Sequence, residues 1–319
     1  MLALLTALAL LLEISARLMI FGPRGLDPRR VGILRDLDPR SIVHYGSDPS
    51  ILYEYRPNLD IFFKLVPFRT NSLGMRDREY AVAKPANCYR VAVVGSSFTL
   101  PAGVEIERAF HSVLERRLSK EFTPHSYEFL NFAVGLHTPS QILAMLRHRA
   151  LAFDPDLVLV GVTSMAVPLL LAEADSPPPS HVLDLVAPDV RSYFVRLLEA
   201  RLGRPTAAFS TSPPQYPKNL APGTDVITGL SELGRRHEVP IVLMRLELDA
   251  RDPSPVEQVV QRRALKAGLF YLDTRSAFAD LRPGDFWIYE LDPHPNAAAH
   301  AIFADVLEEF LDSHELLGR

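Results

Sequence analysis

The chain opens on apolar residues and later settles into alternation. Residues 2–12 form a hydrophobic run interrupted only by Thr6, closed by Glu13 and followed by Arg17 and the apolar group 18–21. Residues 22–88 show little sustained periodicity. Runs at 50–55 and 59–65 predict short strands there, and Asn71-Ser72-Leu73-Gly74 predicts a turn. Beyond Pro85, short apolar runs predict strands at 89–94, 127–134, 157–162, 240–246 and 269–273. Between them lie stretches with helical spacing: 105–120, where Ile106, Phe110, Val113, Leu114 and Leu118 share a face, then 138–151, 224–237, 256–267 and 296–311. Proline-rich stretches at 172–188 and 211–222 bracket a helix over about 189–202, so 168–222 reads as an insert. Strands alternating with helices imply a mostly parallel sheet covered on both faces. The expected fold class is α/β, a three-layer sandwich over 89–319, with 22–88 as an extended lead-in packing on the core.

Composition narrows this picture only a little. A chain of 319 residues, 48% hydrophobic, can bury a full core, and a net charge of -4 leaves no electrostatic footprint for nucleic acid. The single cysteine, Cys88, excludes an intrachain disulfide and leaves the redox compartment open. Residues 1–21 are expected to be a membrane anchor, the alternative being an amphipathic or packed N-terminal helix. The run is shorter than the roughly 20 residues that span a bilayer. It also lacks a basic n-region and a small-residue cleavage site. Arg17, Arg24, Arg29 and Arg30 follow it, which by the positive-inside rule favours a cytoplasmic body and leaves the orientation open.

The candidate chemistry lies at predicted strand ends, where parallel α/β sheets place their sites. Gly95-Ser96-Ser97-Phe98-Thr99 follows the first core strand, and Asp292-Pro293-His294 precedes the last helix. A hydroxyl, an imidazole to take its proton and a carboxylate to orient the imidazole are the three groups of nucleophilic acyl chemistry. Ser97 is the candidate nucleophile, His294 the base and Asp292 its partner. The backbone at Ser97 and Gly135, with the Ser164 hydroxyl, is the candidate oxyanion site. Asn296 is a candidate N-cap, and His300, inside the helix, reads as structural. His111, His137 and His148 lack metal-ligand spacing, so no metal and no cofactor are expected.

Four blocks in this order resemble the SGNH (GDSL-type) hydrolase family, in a membrane-associated branch. The segment Val91–Thr99 resembles the nucleophile block, Leu130–Gln141 the glycine block, Asp154–Ala166 the Asn-Asp block and Asp292–His300 the Asp/His block, while Phe68–Asp77 is similar to the family's lead-in. The resemblance implies a flavodoxin-like sandwich and a serine esterase or O-acyl transfer enzyme. Its substrate would be a small-molecule or carbohydrate ester, such as an acetyl group on an envelope or secreted glycan, on the extracytoplasmic side. Several positions depart from the family pattern. Ser96 replaces its aspartate, Leu136 stands at its oxyanion glycine, and Met165-Ala166 replace its asparagine and acidic neighbour. A thioether donates no hydrogen bond. An alternative is therefore a catalytically impaired relative that binds a glycan or partner through the same cleft.

Overall fold

The computed structural model describes residues 1–28, 30, 42–122, 126–171, 174, 192–202 and 225–318. The core is a five-stranded parallel sheet of β5 (Cys88–Gly95), β6 (Ser126–Asn131), β7 (Leu157–Val162), β8 (Ile241–Arg245) and β9 (Phe270–Asp273), ordered β6-β5-β7-β8-β9. This is the flavodoxin-like 2-1-3-4-5 order, whose topological switch point lies between β5 and β7.

Period-two alternation sorts the strand residues between two faces. Val91, Val93, Leu157, Leu159, Val242 and Met244 pack on α2 (Phe110–Glu121) and α7 (Ala297–Ser313). Ala92, Val94, Val158, Val160, Ile241 and Leu243 pack on α3 (Pro139–His148), α5 (Val226–Arg236) and α6 (Pro255–Lys266). Each fully buried Leu, Val or Phe here contributes about 1.5–3 kcal/mol. The three-layer α/β expectation is the architecture found.

Some boundaries moved for identifiable reasons. Residues 106–108 form a short 3-10 turn, and Ala109, extended at φ -66 and ψ 145, resets the chain before α2 begins. Strand β6 stops at Asn131, whose amide oxygen accepts the Ala133 N–H (2.9 Å) and whose amide nitrogen donates to the Thr99 carbonyl (2.9 Å). The insert's helix is α4 (Tyr193–Arg201), capped by Ser192. The proline-rich stretches around it fall almost wholly outside the described residues.

The lead-in forms two antiparallel hairpins, β1 (Val43–Tyr45) with β2 (Tyr53–Tyr55), and β3 (Asp60–Phe63) with β4 (Val66–Arg69). The segment after β4 grips the loop that follows β5. Arg76, buried, donates to the carbonyls of Pro67 (3.3 Å), Leu100 (3.1 Å), Pro101 (2.6 Å) and Val104 (2.6 Å). Asp77 accepts the Asn131 N–H at 3.1 Å, tying the same segment to β6.

Helix α1 (Leu2–Phe21) is long and apolar enough to cross a membrane, which is weak evidence by length and composition alone. Its first turns expose Leu2, Leu4, Leu5, Leu8, Leu10 and Leu11. Only its root is packed: Ala16, Ile20 and Phe21 join Leu65, Tyr193 and Leu197 in a small cluster of their own, flanked by Tyr289 and Leu291.

Candidate active site

Strand β5 ends at Gly95, directly opposite Gly161 of β7, and the chain turns back over this pair. A Cβ on Gly95 would lie 2.8 Å from the Gly161 carbonyl oxygen and overlap Thr99; a Cβ on Gly161 would overlap Thr99 too. The two glycines let Thr99 settle over the strand ends. Ser97 is thereby lifted beside the switch point.

The other two groups come from an antiparallel hairpin that the sequence pattern does not signal: β10 (Trp287–Tyr289) and β11 (Asp292–Pro295). Asn296 ends it by capping α7, accepting the N–H groups of Ala298 (2.9 Å) and Ala299 (3.1 Å). Its amide also donates to the carbonyls of Asp285 (2.9 Å) and Trp287 (3.1 Å), which pins the hairpin to the helix.

This geometry brings Ser97, His294 and Asp292 together. His294 Nε2 lies 2.9 Å from Ser97 Oγ, and its Nδ1 is in short contact with Asp292 Oδ1. Asp292 Oδ1 also accepts the His294 backbone N–H at 3.1 Å, and Oδ2 accepts the Tyr289 hydroxyl at 3.3 Å. The Phe98 ring tilts against the imidazole with centroids 5.4 Å apart. Asp292 and His294 are both buried.

A fourth group sits among them. Lys64, at the tip of the β3–β4 hairpin, places Nζ 2.5 Å from Asp292 Oδ2 and 2.9 Å from His294 Nδ1. The sequence reading missed it, because residues 59–65 look like one strand. Burial alone would raise the Asp292 pKa, but the Lys64 charge and the bond to His294 hold it well below the usual carboxylate range. For His294, burial and then the Lys64 charge push the imidazole below its ordinary value, and the Asp292 contact recovers only part of the shift. Burial, and next the Asp292 charge, hold the Tyr289 phenol well above its usual value.

The expected oxyanion groups are otherwise engaged. The Gly135 N–H donates to the Tyr55 hydroxyl at 3.1 Å, and the Gly135 carbonyl accepts from the Tyr53 hydroxyl at 3.0 Å. Ser164 Oγ is bonded to the Glu247 carboxylate and accepts from Arg245 at 2.6 Å. Arg245 is itself fully buried and paired with Glu257. Neither Gly135 N–H nor Ser164 Oγ is left to face a substrate oxygen. Leu136 adopts φ +66, the left-handed region that glycine enters without strain. Its backbone N–H, like that of Ser97, donates to no acceptor among the described residues. The Leu136 and Met165 side chains are exposed, at 39% and 64%.

Beneath the nucleophile loop lies a buried polar layer. Asn131 approaches His111 at 3.3 Å, and His111 Nε2 lies 3.8 Å from Asp77. His300, fully buried, stacks on Phe110 and accepts its N–H at 3.4 Å, a packing role. Among the described residues no group of three or more His, Cys, Asp or Glu side chains is arranged to hold a metal ion.

No family model and no curated protein matches the sequence. Several solved structures are similar. One is a two-domain esterase active on acetylated mannans, with TM-score 0.44 and 15% identity. The match covers 71% of this chain and 49% of that one, so the chain spans about half of its length. TesA is similar with TM-score 0.43 and 14% identity, over 70% of this chain and 97% of that one. A catalytic mutant of Axe2, an acetylxylan esterase from Geobacillus stearothermophilus, gives TM-score 0.41 and 17% identity, over 69% and 93%. At these values the likeness concerns the fold.

Proposed function

We propose that this chain is a serine hydrolase of SGNH type that cleaves or transfers an O-acyl group. One observation carries the reading: a hydroxyl, an imidazole and a carboxylate from two separate elements meet in triad order, with Ser97 Oγ 2.9 Å from His294 Nε2. With its proton on Nδ1, shared with Asp292, His294 takes the Ser97 proton as Oγ attacks the ester carbonyl. The imidazolium then returns that proton to the leaving oxygen, and water completes hydrolysis of the acyl-enzyme.

The oxyanion is assigned to the backbone N–H groups of Ser97 and Leu136, in place of Gly135 and Ser164. Two backbone donors without a side-chain amide leave the site weaker than a three-donor hole. Loss of one such donor costs on the order of 10²–10³ in rate. The acyl group is proposed to be small, such as acetyl on a carbohydrate, with α1 holding the protein at a membrane.

A second reading follows from the same depletion: a cleft rimmed by Leu136 and Met165 that binds a glycan or partner without turnover. Hydrolysis of p-nitrophenyl acetate and butyrate by the full chain in detergent separates the two, beside Ser97→Ala and His294→Ala. Turnover lost in both variants, with fluorophosphonate labelling of Ser97, is expected. Equal rates in all three proteins and no labelling would leave the binding reading.

A further inference from the structure

Lys64 sits where the backbone resists it. Lys64 and Leu65, the two central residues of the β3–β4 turn, both have positive φ, 48 and 70. Tight hairpin turns of this hand usually carry Asn-Gly, because other residues are strained there. Such strain persists when the surroundings over-determine it, and it clusters at functional sites. Here the surroundings are evident. Leu65 is buried against the root of α1, and Arg30 donates to the Leu65 carbonyl at 3.0 Å. The product of this effort is an ammonium delivered into the triad.

An ammonium in that place has a definite chemical effect. A neutral imidazole carries one proton, on Nδ1 or on Nε2. General-base catalysis needs it on Nδ1, donated to Asp292, with Nε2 bare toward Ser97. Lys64 has only protons to offer, and it lies 2.9 Å from Nδ1. Asp292 Oδ1, an acceptor in short contact with the same nitrogen, keeps the imidazole proton on Nδ1, so Lys64 acts through its charge: it opposes the imidazolium that forms when Nε2 takes the Ser97 proton. It also bonds Asp292 Oδ2, alongside the Tyr289 hydroxyl. The titratable groups facing His294 are Lys64 from the hairpin tip, Asp292 from its own strand, Tyr289 from β10 and Ser97 from the loop after β5. Of these only Lys64 is a cation.

We propose that Lys64 is a positioning residue that restrains the triad, its ammonium opposing positive charge on His294 so that Ser97 rests unactivated. This regulation rests on the triad reading above, but its decisive measurement does not require turnover. The imidazolium formed during acyl transfer lies beside the same ammonium, so Lys64 opposes the transition state.

The test uses the full chain in detergent micelles with isotope-labelled histidine, assigned by comparison with His294→Ala. In the unaltered protein, the ¹⁵N pattern of neutral His294 should report the Nδ1–H tautomer that Asp292 holds. Lys64→Met should keep that tautomer and raise the midpoint of His294 titration by about 1–3 pH units, the size expected on removing a neighbouring like charge. Lys64→Arg, which keeps the charge, should titrate as the unaltered protein does. An unmoved midpoint in Lys64→Met would overturn the proposal. Where ester turnover is measurable, Lys64→Met should raise kcat about tenfold or more with KM little changed, its acid limb moving up with His294. A fall in kcat would overturn the restraint. Absence of turnover in every variant would count against the hydrolase reading, while the titration still decides the role of Lys64.

Discussion

Lowering the pH from 7 to 5 should destabilise this protein through three buried neutral histidines, two of them in the polar layer beneath the Ser97 loop. Burial pushes His111 and His300 down to about 3, with the nearby Arg76 charge adding to both, and it pushes His137 down to about 4. A histidine whose folded pKa is depressed stabilises the fold above its unfolded value, near 6.5, and loses that contribution as pH falls toward the folded value. Between pH 7 and 5 the unfolded chain gains protons that the folded chain refuses, which removes just under about 2 kcal/mol per histidine. Asp77 acts oppositely. Burial raises it to about 7, against hydrogen bonds from Arg78 and Asn131, so its contribution is regained as pH falls through 7. That returns a little over about 2 kcal/mol in the same window. His294, shifted down, and Glu115, shifted up, oppose each other. The net expectation is a loss of about 3 kcal/mol. Urea unfolding in detergent at several pH values measures it by linear extrapolation. The one tryptophan, Trp287 on the triad hairpin, is a convenient reporter. Stability that stays level or rises between pH 7 and 5 would refute the reasoning, and histidine resonances titrating near pH 6.5 would show that the rings are not buried neutral.

Three further outcomes follow from the site. Asp292→Asn should lower kcat by about 10⁴, the cost of the wrong imidazole tautomer in a known triad. It should also destabilise the fold by about 3–5 kcal/mol by stranding Lys64; adding Lys64→Met should recover the stability and not the rate, and full stability in Asp292→Asn alone would show the pair to be weak. Gly95→Ala should drop kcat at least tenfold, by driving Thr99 and the Ser97 loop off the strand ends, and unchanged turnover would mean that the loop yields. Thr99→Val should raise unfolding free energy by about 1 kcal/mol in urea, because its hydroxyl is buried without a partner.

The sheet was legible because buried parallel strands are short apolar runs between helices of fixed period, and nothing in the tertiary structure overrides that signal. Residue types at Ser97, Asp292 and His294 were legible for a related reason: a glycine-led turn after a strand and a capped final helix mark where groups can meet. Other features had no local signature. Pro293 and Pro295 argued against a strand, yet β11 tolerates them in a two-stranded hairpin beside the sheet. Gly135 is the candidate oxyanion donor by its place after a strand, but its N–H is held by the Tyr55 hydroxyl, a partner eighty residues away, and the positive φ falls on Leu136. The engagement of Ser164 depends on Arg245 and Glu247, some eighty residues away. Lys64 reaches its partners across more than 220 residues, a separation no spacing rule spans.

The packed root of α1 bears on how this protein can be handled. Trimming a hydrophobic N-terminal helix is a routine step before purification, and cutting at residue 22 would look harmless. That cut removes Ala16, Ile20 and Phe21, and with them the edge-on ring contacts of Phe21 with Tyr193 and Tyr289. Tyr289 donates to the triad aspartate, and Leu65 adjoins Lys64, so the wound would open one side chain from the chemistry. A chain shortened only to Glu13 would shed the exposed leucines of the first turns and keep the plug in place. Glu13 would stay bonded to Arg17 and to the Phe194 N–H. Solubility and an intact site are thus separable by a cut nine residues earlier than the obvious one.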